Sequence, residues 1–314
     1  MNKQYDVIAV GMINFDINVK NFSAAKMDRK VQSVEQIALG FGGDAQNSAS
    51  TMARLGLKTA ICGAVGRDLA GDLCLANEQR VGLDTSFVCR KDVQTGTAIQ
   101  LFQTAEAHVL DCCGANHAFQ ECDIPEAVYG ASKIISLHSF FNCGDVGAGF
   151  LKKAQAGGAI TVADTTTPPR GSTLDQIRDA LAYIDYFLPS YPEASELTNL
   201  SDPAEICARL SECGAKNIVL KMGAQGCYLM TDRYVGIVPG YTVSNVVDTT
   251  GCGDNFVAGF ISGLAREMSD VECAHLANAA GAINATQLGS NGAVQSFKQL
   301  MDFIGEQKTR GNTL

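Results

Sequence analysis

Apolar residues in this chain gather in short runs separated by longer amphipathic segments. The runs 5–10, 59–65, 133–137, 159–163, 186–188 and 217–221 carry few polar interruptions and predict buried strands. Between them, 44–55, 147–156, 174–182 and 203–213 predict helices. Short apolar strands alternating with helices predict an α/β fold: a central, mostly parallel sheet covered by helices on both faces.

Two regions break this rhythm. Residues 12–38 alternate polar and apolar positions without a helical period, and 97–102 with 108–110 flank a polar turn around Ala105 and Glu106. Alternation suits strands that are wet on one face. These segments predict a small β-sheet lid of residues 12–38 and 94–116. The main domain is then 1–11, 39–93 and 117–305, and 306–314 reads as a frayed tail. Internal repeats, low-complexity tracts and Pro/Ser-rich linkers are not seen.

Composition narrows the class. Of 314 residues, 46% are hydrophobic and 18% charged, a globular profile with enough chain to bury a large core. The net charge of −9 argues against a general nucleic-acid binder, yet leaves room for a nucleotide held by a local cluster of N–H donors. No apolar run approaches the ~18–20 residues of a membrane span. Residues 5–10 read as a core strand directly after the first residues, with no secretory leader. The twelve cysteines are scattered, with no C-x-x-C pair, so free buried thiols in a reducing cytoplasm are the expectation.

The most informative stretch is Val247-Asp248-Thr249-Thr250-Gly251-Cys252-Gly253-Asp254-Asn255-Phe256. Phe256, Val257, Phe260, Ile261 and Leu264 recur at helical spacing, so a Gly-rich turn feeds a helix that begins near Asp254. Such a turn points backbone N–H groups outward, and the helix dipole favours an anion there. Asp at a helix start is often an N-cap. A carboxylate beside an anion-binding turn can instead take the proton of an attacking hydroxyl, and phosphoryl transfer needs little more. Cys252 sits in the turn, where a helix N-terminus would lower its pKa. No histidine lies nearby in sequence to serve as its base, so its backbone N–H is the useful part.

A second Gly-rich segment, Gly40-Phe41-Gly42-Gly43-Asp44-Ala45-Gln46-Asn47, opens another helix. Asn47 offers a donor and an acceptor to a sugar hydroxyl, while Asp44 reads as a cap. Asn14 and Asp16 follow the first strand and share one face of an extended segment, where α/β proteins bind ligands; an Asx turn is the alternative.

Together these motifs resemble the ribokinase-like (PfkB) family of sugar and nucleoside kinases, over about residues 5–300. The resemblance implies Asp254 as catalytic base, with Gly251, Cys252 and Gly253 as the anion hole. It implies substrate contacts at Asn14, Asp16, Gly42, Gly43 and Asn47. Gly114-Ala115-Asn116 is similar to a segment of sugar kinases in the family. ATP is the implied cofactor, near Lys221, Gly223 and Gly226 of a strand and Gly-rich turn, and near Asn278 on a small-residue helix. An ordinary hairpin and tight helix packing are the plainer alternatives for these last. Mg²⁺ neutralises the phosphates. The family's Asn-x-x-Glu motif becomes Ser190-Tyr191-Pro192-Glu193 here, so Glu193 matches the acidic position through metal-bound water and Ser190 departs. Some members add a monovalent cation such as K⁺, which Asp248 and Thr250 match. Pairing of lids into a homodimer is a further implication.

The activity this implies is ATP-dependent phosphorylation of a small sugar. A nucleoside kinase on the same fold is the alternative, and its base clamp finds only Phe15, Phe22 and Phe102 in the lid. A dinucleotide-dependent dehydrogenase lacks G-x-G-x-x-G after the first strand, and a non-catalytic relative should lack Asp254.

Overall fold

The structure is a computed structural model and describes residues 3–26, 28, 30–103, 107–141, 146–166 and 171–309. Thirteen strands are seen among them. They are β1 (Tyr5–Val10), β2 (Asn14–Lys20), β3 (Gln36–Gly42), β4 (Thr59–Gly66), β5 (Asp84–Lys91), β6 (Gly96–Phe102) and β7 (Ala107–Cys112). The second half supplies β8 (Ser132–Leu137), β9 (Ile160–Ala163), β10 (Tyr186–Phe187), β11 (Asn217–Lys221), β12 (Gly226–Met230) and β13 (Val235–Pro239).

Nine strands form the main sheet in the order β13-β12-β11-β10-β9-β8-β1-β4-β5. Every pairing from β11 to β5 is parallel, and β12 and β13 add an antiparallel edge. All eight residues of β4 are buried, as a strand covered on both faces requires. Alternate residues of β1 feed two cores. Ile8 and Val10 pack with Phe150, Phe187 and Leu210, while Val7 and Ala9 pack with Met52, Phe256 and Phe260. Strand order reverses at β1, with β4 and β5 on one side and β8 onward on the other. Open α/β sheets bind ligands at such a reversal, outside the carboxyl ends of the strands.

The smaller sheet has the order β3-β2-β6-β7 and stands over those carboxyl ends. Its strands alternate buried and half-buried residues, most clearly in β6. The hairpin expected at 97–110 is the antiparallel pair β6–β7; its turn lies outside the described residues. β3 belongs to this sheet through Gly42, so the sheet reaches four residues beyond the boundary at 38 that the pattern suggested.

Three further differences have physical causes. The helix expected over 174–182 is a 3₁₀ turn, Leu174–Gln176, followed by a single helical turn, Arg178–Leu181; a capping box between Thr173 and Gln176 closes the first on itself. The expected tail is helical through Thr309, in the helix Phe297–Thr309. There Gln307 is buried and its Nε2 donates to the Thr242 carbonyl at 3.3 Å. Of the described cysteines, all free, six are buried, while Cys112 and Cys122 are exposed. No helix among the described residues is long and apolar enough to cross a membrane.

Candidate active site

The turn after Thr250 is shaped by Gly251, which takes φ 72° and serves as N-cap of the helix Cys252–Leu264 without any side-chain cap. A Cβ at Gly251 would collide with the Ser290 carbonyl. Asp254 is therefore the third residue of the helix and not its cap. Asn255 fastens the turn: its Nδ2 donates to the carbonyls of Gly251 (2.7 Å) and Ser290 (2.9 Å), and its Oδ1 accepts from Thr51 Oγ1 at 2.7 Å.

Asp254 faces the helix Asp44–Arg54. Asn47 Nδ2 donates to Asp254 Oδ2 at 2.7 Å, and Ser48 Oγ donates to the Asp254 carbonyl at 2.9 Å. Burial and then the Asp44 charge push the Asp254 carboxyl up to about 7, against the Asn47 hydrogen bond and Lys221. A base poised there suits proton abstraction near neutral pH. Cys252 behaves otherwise than a helix N-terminus alone would dictate. Burial pushes its thiol up to about 11, so it is a poor nucleophile.

On one side of Asp254 lies a cavity of about 1010 Å³, lined by Asp164, Glu193, Lys221, Gly223 and Gly253 among others. A second, of about 250 Å³, adjoins it and is lined by Lys221, Gly223, Gly226 and Asn278. All four residues expected at the nucleotide thus line one cavity. Lys221 Nζ reaches both oxygens of Asp164 at 2.6 Å. Asp164 follows β9, and its role went unread in the sequence. Asn278 is also tied to the chain, donating to the carbonyls of Val238 and Pro239.

Ser190 explains its departure from the Asn-x-x-Glu pattern. It is the N-cap of the helix Tyr191–Thr198 and shares a capping box with Glu193. Glu193 Oε2 accepts from Ser190 N at 2.9 Å and from Thr165 Oγ1 at 2.7 Å. With Asp164 it adds two carboxylates to the large cavity beside Asp254. Mg²⁺ held mainly by phosphates and water needs no more, and no cluster of three metal-ligating side chains occurs among the described residues. Asp248 is buried and bridges two loops, accepting from Thr250 N at 2.8 Å and from Gly289 N at 2.9 Å. The Thr250 carbonyl accepts from Asn284 Nδ2 at 2.8 Å.

On the other side of Asp254, the small sheet supplies a row of buried polar groups. Asn14 Oδ1 accepts from Asn116 Nδ2 at 2.7 Å, and Asn116 Oδ1 accepts from Ile13 N at 2.9 Å. Gln100 Nε2 donates to Asp16 Oδ2 at 3.1 Å. Burial, with Asp111 and Asp254 adding to it, pushes Asp16 up to about 7. A Cβ at Gly42 would strike the Asp16 carboxylate and displace it. Gly43 is the N-cap of the helix Asp44–Arg54. Asn291 Nδ2 donates to Asn47 Oδ1 at 2.8 Å and to the Phe41 carbonyl at 2.9 Å, linking the C-terminal loop to the lid. The structure thus gathers Asn14, Asp16, Gly42, Gly43 and Asn47 on one side of Asp254.

The fold has close parallels. A 2-dehydro-3-deoxygluconokinase of Bacillus subtilis is 25% identical over 303 residues, covering 89% of this chain and 91% of that protein. A structure of Arabidopsis thaliana ribokinase complexed with ribose and ATP superposes with a TM-score of 0.83 at 22% identity, covering 97% of this chain and 99% of that one. An Escherichia coli protein solved with ATP and Mg²⁺ matches at a TM-score of 0.81 and 22% identity, over 96% of this chain and 99% of its own. The model of the pfkB family of carbohydrate kinases matches residues 4–296, nearly the whole chain, and the protein belongs to that family.

Proposed function

We propose that the protein transfers the γ-phosphoryl group of ATP to a hydroxyl of a small sugar, with Asp254 as the base. One observation carries this reading: Asp254 stands at the junction of the large cavity and the polar row under the lid, held by Asn47 at 2.7 Å. ATP occupies the two cavities, with its adenine toward Asn278 and Gly226 and its phosphates toward Lys221 and the turn 251–253. The sugar lies against Asn14, Asp16, Gly43 and Asn47. Asp254 accepts the proton of the attacking hydroxyl. The N–H groups of the turn then stabilise charge on the moving phosphoryl group.

Mg²⁺, when bound, neutralises phosphate charge; Glu193 and Asp164 would hold it, directly or through water. Potassium at Asp248 and Thr250 is part of the same reading, and it would share the Thr250 carbonyl with Asn284. A second copy of the chain covers the outer face of the lid, where Ile37, Leu39 and Leu110 are 65%, 64% and 59% exposed. Sedimentation equilibrium should return the mass of a dimer, and a monomer would remove this part. A cytoplasmic setting agrees with ATP as co-substrate and with the free thiols.

Asp254→Asn tests the role of the base. The variant should lose about 10²–10⁴-fold in kcat and keep its affinity for an ATP analogue within about threefold. A variant with wild-type turnover refutes the assignment. Purified enzyme that releases ADP with nucleosides and with no sugar of a broad panel refutes the acceptor class.

A further inference from the structure

The last helix, Phe297–Thr309, and the loop 242–245 enclose a further cavity of about 350 Å³, with Thr286 at its side. The reaction described above does not use it, and it is large enough for a small metabolite. Gln307 lies in its wall and is 4% exposed. The Gln307 Nε2 donates to the Thr242 carbonyl at 3.3 Å, while its Oε1 is buried and receives no hydrogen bond from any described residue. A buried carbonyl oxygen without a donor is costly, so this one asks for a donor that binds in the cavity.

The rim of the cavity differs from its depth. Thr286 and Glu306 line it and are exposed. Thr286 Oγ1 gives its proton to the Ile283 carbonyl at 2.7 Å and turns only lone pairs to other partners. Glu306 brings a carboxylate. Two acceptors at an exposed rim, one of them charged, fit an ammonium group, which carries three donors and keeps part of its hydration there. An ammonium buried against the single neutral oxygen of Gln307 would lose that hydration, so the deep donor is an uncharged hydroxyl.

The cavity also adjoins the nucleotide side of the molecule. Val243 lines both it and the smaller cavity beside the active site. Phe303 lines it and packs edge-to-face with Tyr241, ring centroids 5.7 Å apart at 83°. Tyr241 is buried and lines the smaller cavity, and its hydroxyl lies 2.9 Å from His275 Nδ1. A ligand against Phe303 and Val243 therefore bears on two side chains of the nucleotide cavity, and close-packed side chains transmit such pressure.

We propose that this cavity is an effector site for a small amino alcohol, whose hydroxyl donates to Gln307 Oε1 and whose ammonium lies at Glu306 and Thr286, and that its occupation tightens nucleotide binding through Val243, Phe303 and Tyr241. The binding stands by itself; its effect on the nucleotide rests on the ATP reading above.

Calorimetry on the full chain tests this with ethanolamine, with propylamine, which lacks the hydroxyl, and with ethylene glycol, which lacks the charge. Ethanolamine should bind wild type with a Kd of about 1–10 mM, and each of the other two about 3- to 10-fold more weakly. Gln307→Leu should weaken ethanolamine by a similar factor and leave propylamine unchanged. Glu306→Gln should weaken ethanolamine and leave ethylene glycol unchanged. Saturating ethanolamine should tighten an ATP analogue at least about fivefold, and the analogue should tighten ethanolamine by the same factor. No saturable binding of ethanolamine, equal binding of all three probes, or probe preferences unchanged in both variants overturns the site. Ethanolamine binding that leaves the ATP analogue unaffected overturns its effector role. If Gln307→Leu does not fold, Glu306→Gln, an exposed position, decides together with the wild-type series. A protein that binds no ATP analogue at all refutes the ATP reading, while the three probes and two variants still decide the site.

Discussion

The two ends of the site, the one proposed for the phosphates and the one proposed for the acceptor, are built from different groups. At the first, the turn 251–253 offers backbone N–H groups, fixed by Asn255 to the carbonyls of Gly251 and Ser290 and by Thr51 to Asn255. At the acceptor end, the groups are side chains drawn together from far apart in sequence. Gln100 and Asp16 are 84 residues apart, Asn116 and Asn14 are 102, and Asn291 and Asn47 are 244. Backbone donors in a fixed turn serve any phosphoryl transfer. Side-chain amides and carboxylates on a separate sheet can be exchanged one at a time to suit another acceptor. The difference teaches that one end presents a backbone turn and the other a set of exchangeable side chains, while both depend on the assembled fold to hold them.

Two substitutions break the comparison at its two ends. Gly251→Ala should have the larger effect. It places a side chain at φ 72° and against the Ser290 carbonyl, so the turn must move. Loss of one such donor arrangement costs about 10²–10³-fold in kcat, and turnover with every acceptor should fall together. Asn47→Ala should act at the acceptor end and cost about 10- to 100-fold in kcat/KM, the range for a hydrogen bond to a charged group. It should leave ATP-analogue affinity unchanged in calorimetry. It should also move the acid limb of the pH–rate profile upward, because the Asn47 amide favours the ionised form of Asp254. Equal loss of ATP affinity in both variants would erase the distinction between the ends.

The same contrast decides what was legible in the sequence. The apolar runs of β1, β4, β8 and β11 are buried strands of a mostly parallel sheet, and their composition shows it. The Gly-rich turn and the helix after it were legible because glycine, helix period and carboxylate follow one another within a dozen residues. β5, Asp-Thr-Ser-Phe-Val-Cys-Arg-Lys, is half-buried along most of its length and carries no apolar run to betray it. Gln100 and Asn291 gave no signal, since a lone amide acquires meaning only from the partner that folding brings to it. Asp164 had a weak one, a carboxylate just past a predicted strand, with Lys221 at the end of another. Asp44 was read as a cap because Asp leads the capping ranking, yet the glycine before it holds that position. Cys252 shows the same limit, since burial outweighs the helix N-terminus in setting its pKa.

The pH dependence of kcat/KM tests the central claim most directly. Asp254 must be ionised to accept a proton, and its pKa in the free enzyme is raised to about 7 by burial and by Asp44, with Glu193 adding to the rise and Asn47 and Lys221 opposing it. The base is therefore protonated and idle below that value, and activity should climb as pH rises through it. The account predicts an acid limb with its midpoint near pH 7 in the wild type and a flat residual rate across the same range in Asp254→Asn. A wild-type profile that stays flat from pH 5 to pH 8, or an identical limb in the Asn variant, would contradict it.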